Sequence, residues 1–98
     1  MKTMTTQEVQ ELLENNQSIN LIDVRETDEV AAGKIPGAIN IPLGSLESRM
    51  SELDKSQEYI MVCRSGGRSG QATSFLENQG YKVTNMDGGM LNWNGETN

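Results

Sequence analysis

The sequence predicts an α/β protein: a mostly parallel central sheet of about five strands with helices on both faces. Three observations carry that expectation. Short apolar runs alternate with amphipathic segments along the chain, the order strand, helix, strand, helix that builds parallel sheets. The run Tyr59-Ile60-Met61-Val62 has no polar member, as suits a strand covered on both sides. Asn15-Asn16, Gly33 and Gly80 each follow a helical segment, where a helix stop is needed. With 98 residues, the expectation is a single domain over 1–98.

Each element has its own signal. Thr5-Thr6-Gln7-Glu8 is a capping box, with Thr5 as cap and Glu8 as its reciprocal partner. Val9, Leu12 and Leu13 follow at helical spacing, and Asn15-Asn16 ends the helix. The acids Glu8, Glu11 and Glu14 fall on a solvated face. Ile19 to Val24 reads as a buried strand. Thr27 is the expected cap of a brief helix, Asp28 to Ala32, with Gly33 as its stop. Ile35-Pro36-Gly37 is a turn, and Ala38-Ile39-Asn40-Ile41 is a short strand closed by Pro42. Leu46, Arg49, Met50 and Leu53 fit a helix from about Ser45. After the strand at 59–62, Ser69 to Gln79 reads as a helix with Ala72, Phe75 and Leu76 inward and Gly80 as its stop. Tyr81 to Thr84 is the last strand; Asp87-Gly88-Gly89 turns into a short helix around Leu91 and Trp93. Asn94 to Asn98 reads as a frayed tail.

Composition excludes several functions. The single cysteine, Cys63, allows neither an internal disulfide nor a Cys-rich zinc site, and the absence of histidine removes His-based triads and His-ligated metals. No cofactor is implied. No apolar run is long enough to span a membrane. The N-terminal residues lack the apolar core of a secretory signal, so a cytoplasmic location is expected, where a lone thiol stays reduced. A net charge of −6 argues against nucleic acid as a partner.

The chemistry concentrates in Cys63-Arg64-Ser65-Gly66-Gly67-Arg68-Ser69. A strand running into a helix places a thiol at the carboxyl end of the sheet, where sites of open α/β sheets form. The helix N-terminus favours the thiolate, the reactive form. Gly66 and Gly67 permit backbone angles that aim successive N–H groups inward as an anion nest. Arg64 and Arg68 add positive charge; Ser65 and Ser69 add hydroxyls. A lone Cys after a buried strand is most often an inert small hydrophobe. Two arginines and two glycines in the next five positions are foreign to that role.

These residues resemble the active loop of single-domain rhodaneses, the thiosulfate sulfurtransferases. The resemblance spans nearly the whole chain. Leu21-Ile22-Asp23-Val24-Arg25-Glu26 is similar to the family's first signature, and Gly33-Lys34-Ile35-Pro36-Gly37-Ala38-Ile39-Asn40-Ile41-Pro42 to its second. Gly88-Gly89-Met90 with Trp93 is similar to its closing motif. Lys34 stands where many members carry His, and Val30 where many carry Phe. The resemblance implies a rhodanese-like fold and a Cys63 nucleophile that takes sulfane sulfur from thiosulfate as a persulfide. A thiol or cyanide acceptor then removes it. Arg64, Ser65, Gly66, Gly67, Arg68 and Ser69 would bind the substrate and the persulfide, the two arginines steering the dianion inward. A sulfur-relay protein is an alternative partner. Rhodanese-fold phosphatases and arsenate reductases carry five residues between Cys and Arg; here there are four.

Outside the loop, Asp23 and Arg25 lie at the same sheet edge as Cys63. They are candidates for orienting the loop, against the simpler reading of a structural ion pair with Glu26 or Glu29, or a helix cap. Lys34 is expected to be solvated. Trp93 is expected to cover the core, with a place in the pocket wall as the alternative. Met61 is expected in the core, and Met90 near the site.

Overall fold

The computed structural model describes residues 1–98. In chain order it forms β1 (Lys2–Thr5), α1 (Thr6–Glu14), β2 (Asn20–Asp23), α2 (Thr27–Ala31), β3 (Ile39–Asn40), α3 (Leu46–Arg49), β4 (Glu58–Val62), α4 (Gly67–Asn78) and β5 (Lys82–Asp87). Single 3₁₀ turns flank α3, at Leu43–Ser45 and Met50–Glu52, and another follows β5 at Gly89–Asn92. The five strands are all parallel, in the order β1-β5-β4-β2-β3. The expected fold class holds.

The apolar run of β4 takes the central place, and period-2 geometry splits its side chains between two cores. Tyr59, Met61 and Cys63 join Ile22, Val24, Ile41, Leu46, Ala72, Leu76 and Val83 on the side of α3 and α4. Ile60 and Val62 join Val9, Leu21, Ile35, Ala38 and Met86 on the side of α1. Both faces of β4 are dry, which is why no polar residue interrupts it. On α4, Ser69, Ala72, Thr73 and Leu76 form the buried stripe.

The capping box is present, with Glu8 N donating to Thr5 Oγ1 and Thr5 N to Glu8 Oε1. Several expectations are corrected. Lys2–Thr5 was not legible as a strand, yet it pairs in register with Thr84–Asp87. Three of its four side chains are polar and exposed, and Met4 alone makes no alternation; the neighbouring strand supplies the hydrogen bonds. Glu26, not Thr27, precedes α2, and its N–H is taken by the Glu29 carboxylate at 3.0 Å. The segment near Ser45 is not one helix but a short α-turn between two 3₁₀ turns. Leu43 to Leu46 and Met50 to Leu53 are three apart, the period of 3₁₀ winding.

Two surface expectations also change. Lys34 is half-buried and its Nζ donates to Ala38 O at 2.9 Å, so it braces its own turn. The tail is pinned: Lys34 and Asn98 exchange both backbone hydrogen bonds, and Trp93 Nε1 donates to Glu96 O. Trp93 itself packs against the α1-side core, as expected of a cover.

Candidate functional site

Cys63 follows β4 directly and shares the parity of Tyr59 and Met61, so its side chain turns toward α4. The chain must then reverse into a helix within three residues. Gly66 makes that reversal at φ +105°, a left-handed conformation that side-chain-bearing residues rarely adopt. The turn aims the Gly66 N–H back at Cys63 Sγ, 3.0 Å away. One helical turn later, Ser69 Oγ lies 3.2 Å from the same sulfur. The sulfur is almost fully enclosed, the residue being 1% exposed.

Two opposing effects act on that thiol. Burial is the largest and pushes its pKa up. The Ser69 hydroxyl and the backbone N–H groups of Ser69, Gly66 and Ser65 favour the thiolate, and together they leave the thiol below its ordinary value of 9.0. A buried cysteine in an apolar environment alone would shift upward and be inert. The cradle reverses the sign.

A second layer holds the cradle. Asn85, buried on β5, donates from Nδ2 to Gly66 O at 3.3 Å, while its Oδ1 has no partner. Met90 N donates to Cys63 O and Leu91 N to Arg64 O, which ties the turn after β5 to the loop. This brings Met90 to the site, as expected of it. Gly89 sits so close that an added Cβ would meet Arg64 O at 2.5 Å and Cys63 O at 2.6 Å. The Gly88-Gly89 pair is therefore the place where the backbone of one loop lies directly on the other.

The two arginines of the loop have different surroundings. Arg68 forms a two-point ion pair with Glu29 of α2, at 2.6 and 2.9 Å. That pair lowers the Glu29 carboxyl to about 2, the Arg68 hydrogen bond being the main cause. Arg64 is exposed and has no carboxylate partner. Asp23 and Arg25 do form a structural ion pair, but with each other. Arg25 Nε and Nη2 reach the Asp23 carboxylate at 2.8–3.1 Å, and Nη2 also reaches Gly33 O at 2.9 Å. Neither Glu26 nor Glu29 is the partner of Arg25. Asn40 Nδ2 donates to Asp23 O and Arg25 O, which fixes the strand end beside the loop.

Sequence reasoning passed over Asn85, and it named Glu29 only as a candidate partner of Arg25, not of Arg68. Glu29 is three residues after Glu26, a spacing that also marks a helix start, so its signal was spent there. Asn85 sits at the period-2 position after Val83, and a polar residue at a core position is itself a usable signal. An open groove of about 780 Å³ lies between the end of α1 and the C-terminal tail, lined in part by Leu13, Pro36 and Trp93. It includes no residue of the 63–69 loop. No group of His, Cys, Asp or Glu side chains is arranged to hold a metal ion. No helix is long and apolar enough to cross a membrane.

A parallel α/β sheet with an enclosed, hydrogen-bonded thiol at the end of its central strand defines a class of proteins that stabilise negative sulfur. Comparison with known proteins narrows the class. The rhodanese-like domain family matches residues 5–96, and the chain belongs to that family. A Bacillus subtilis protein named "Putative sulfurtransferase YtwF" is 44% identical over 97 residues, covering 99% of this chain and 94% of the relative. A second protein of that organism, named "Putative sulfur carrier protein YrkF", is 41% identical over 86 residues; the match covers 87% of this chain and 46% of the longer relative. The crystal structure of a rhodanese-like domain protein from Staphylococcus aureus superposes with a TM-score of 0.92 at 34% identity, covering 98% of this chain and 94% of that one.

Proposed function

We propose that this chain is a sulfurtransferase that moves sulfane sulfur from thiosulfate to a thiol or cyanide acceptor through a persulfide on Cys63. The observation that carries the reading is the pair of donors on Sγ, the Gly66 N–H at 3.0 Å and the Ser69 hydroxyl at 3.2 Å. They stabilise a sulfur anion without a histidine base. In the first half-reaction the Cys63 thiolate attacks the outer sulfur of thiosulfate. The new S–S bond forms as the old one breaks, and sulfite leaves with the bonding pair. In the second half, cyanide or a thiolate attacks the outer persulfide sulfur and returns the Cys63 thiolate. Charge balances in each step and no proton need move. Double displacement predicts ping-pong kinetics.

The loop residues divide the work under this reading. The backbone N–H groups of the 64–69 loop hold the terminal sulfur as an oxyanion hole holds oxygen. Arg64 is the cation free to meet an incoming anion. Arg68 acts from the side, its charge shared with Glu29 while it remains in electrostatic reach of Cys63.

A relay is the second reading, in which a partner protein's persulfide is the donor. It is favoured by the commitment of Arg68 to Glu29 and of Arg25 to Asp23, which leaves one unpaired arginine beside the cradle for a free dianion. A phosphatase or arsenate reductase reading is less favoured. The loop has four residues between Cys63 and Arg68, and that arginine points to Glu29 instead of completing a ring around a tetrahedral anion.

Intact mass after brief incubation with thiosulfate, without reductant, tests the proposal. One added sulfur atom is expected in the native chain and none in Cys63→Ser. Sulfur loading, or substantial turnover, in Cys63→Ser would sink the mechanism. Loading only from a protein persulfide would select the relay.

A further inference from the structure

Asp87 is the last residue of β5, the strand beside β4, and its carboxylate is exposed with no hydrogen bond or ion pair. It nevertheless lies against the cradle. Asp87 Oδ1 is 3.8 Å from the point where a Cβ on Gly66 would stand, and the Gly66 N–H is the donor 3.0 Å from Cys63 Sγ. Adding ordinary bond lengths between those points places the carboxylate within about 10 Å of the sulfur. That is comparable to the distance over which salt screens charges in physiological buffer.

The charges around the mouth make this position consequential. Two of the three nearby arginines are neutralised by carboxylates, Arg25 by Asp23 and Arg68 by Glu29. Arg64 remains, exposed, on the loop. Asp87 opposes it with an unpaired negative charge beside Gly66. Glu26, also exposed, adds to the negative side and is felt at Arg68. A structural explanation for the Asp87 carboxylate would need a cap or a turn contact, and the side chain makes none.

We propose that Asp87 is a specificity-determining residue that disfavours doubly charged sulfur donors relative to singly charged ones. The inference rests on the sulfur-transfer reading above and adds the charge class of donor that Asp87 favours. The cradle itself recognises the transferred sulfur, which is common to every sulfane donor. The rest of the donor must pass Asp87. Repulsion scales with the donor's charge, so a dianion is penalised about twice as much as a monoanion in the same place. Asp87 thus shifts selectivity away from thiosulfate and toward singly charged sulfane donors, such as an organic persulfide or a thiosulfonate, against the pull of Arg64 on either.

Two probes of different charge and the same chemistry test this. Thiosulfate is a dianion that releases sulfite; methanethiosulfonate is a monoanion that releases methanesulfinate. In both, Cys63 thiolate attacks the outer sulfur and the S–S bond to the leaving group breaks. We would measure kcat/KM for each donor with cyanide as acceptor, in the native chain, Asp87→Asn and Asp87→Glu. Asp87→Asn is expected to raise the ratio of thiosulfate to methanethiosulfonate by about two- to fivefold at low salt. The gain should shrink as salt is added, and Asp87→Glu should keep the native ratio. Equal changes for both donors, or an unchanged ratio with turnover intact, would overturn the inference alone. Absence of sulfur loading from both donors in the native chain, seen by intact mass, would overturn the reading of a small-anion donor and this inference with it.

Discussion

Replacing Ser69 by alanine removes one hydrogen bond to Cys63 Sγ and little else. The Ser69 side chain is fully buried and its hydroxyl is 3.2 Å from the sulfur. Its carbonyl still accepts from Thr73 Oγ1 at 2.7 Å, and alanine suits the first turns of α4. A hydrogen bond to a charged acceptor contributes about 1.5–3 kcal/mol. The backbone N–H groups of Ser65, Gly66 and Ser69 remain, so the lower part of that range applies. One such step is roughly a tenfold drop in thiolate population at neutral pH. The assay is the rate of alkylation by iodoacetamide across pH, followed by intact mass. The native thiol should titrate below the ordinary value of 9.0, and Ser69→Ala should titrate higher, with about tenfold slower alkylation at pH 7 and an unchanged plateau at high pH. Superimposable profiles would refute the assignment of the hydroxyl to thiolate stabilisation. The linkage to stability has a defined sign. A depressed folded-state thiol pKa adds stability above the unfolded-chain value, and that stability is lost as pH falls through the lower, folded value. Ser69→Ala should flatten this dependence.

Three further outcomes follow from the same contacts. Gly89→Ala should displace the 63–65 backbone and strongly impair sulfur loading, because its Cβ would lie 2.5 Å from Arg64 O at a φ of +59°; thermal melting with intact-mass loading checks it. Asp23→Ala should cost about 3–5 kcal/mol in urea unfolding, since it leaves the Arg25 guanidinium, 8% exposed, without its countercharge; a loss under 1 kcal/mol would contradict the pairing. Glu29, lowered from 4.5 to about 2 by Arg68, adds stability that is present above pH 4.5 and fades as pH falls toward 2. Because the pair is about one-third exposed, Glu29→Gln should cost only about 1 kcal/mol at pH 7, and the acid sensitivity over that window should diminish in unfolding curves.

The legible parts of this protein are those whose signal is local. The capping box at Thr5 and Glu8 needs only residues three apart. The both-faces burial of β4 is written as an uninterrupted apolar run. The stripe of Ala72 and Leu76 needs only the helical period, and a thiol between a strand and a glycine-rich helix start needs only chain order. Local chemistry therefore determined the α/β class, the central strand and the position of Cys63. Pairing across the fold was decided elsewhere. Lys2–Thr5 becomes a strand because β5 offers it a free edge, not because its side chains ask for one. Arg68 meets Glu29 across 39 positions of chain, Asn85 meets Gly66 across 19, and Asp87 comes to rest beside the same loop. A charge or an amide carries no record in sequence of which distant partner it will find, since many candidates have the same chemistry. The partner is selected when the parallel sheet brings the carboxyl ends of β2, β4 and β5 side by side, and with it the electrostatic character of the space around Cys63.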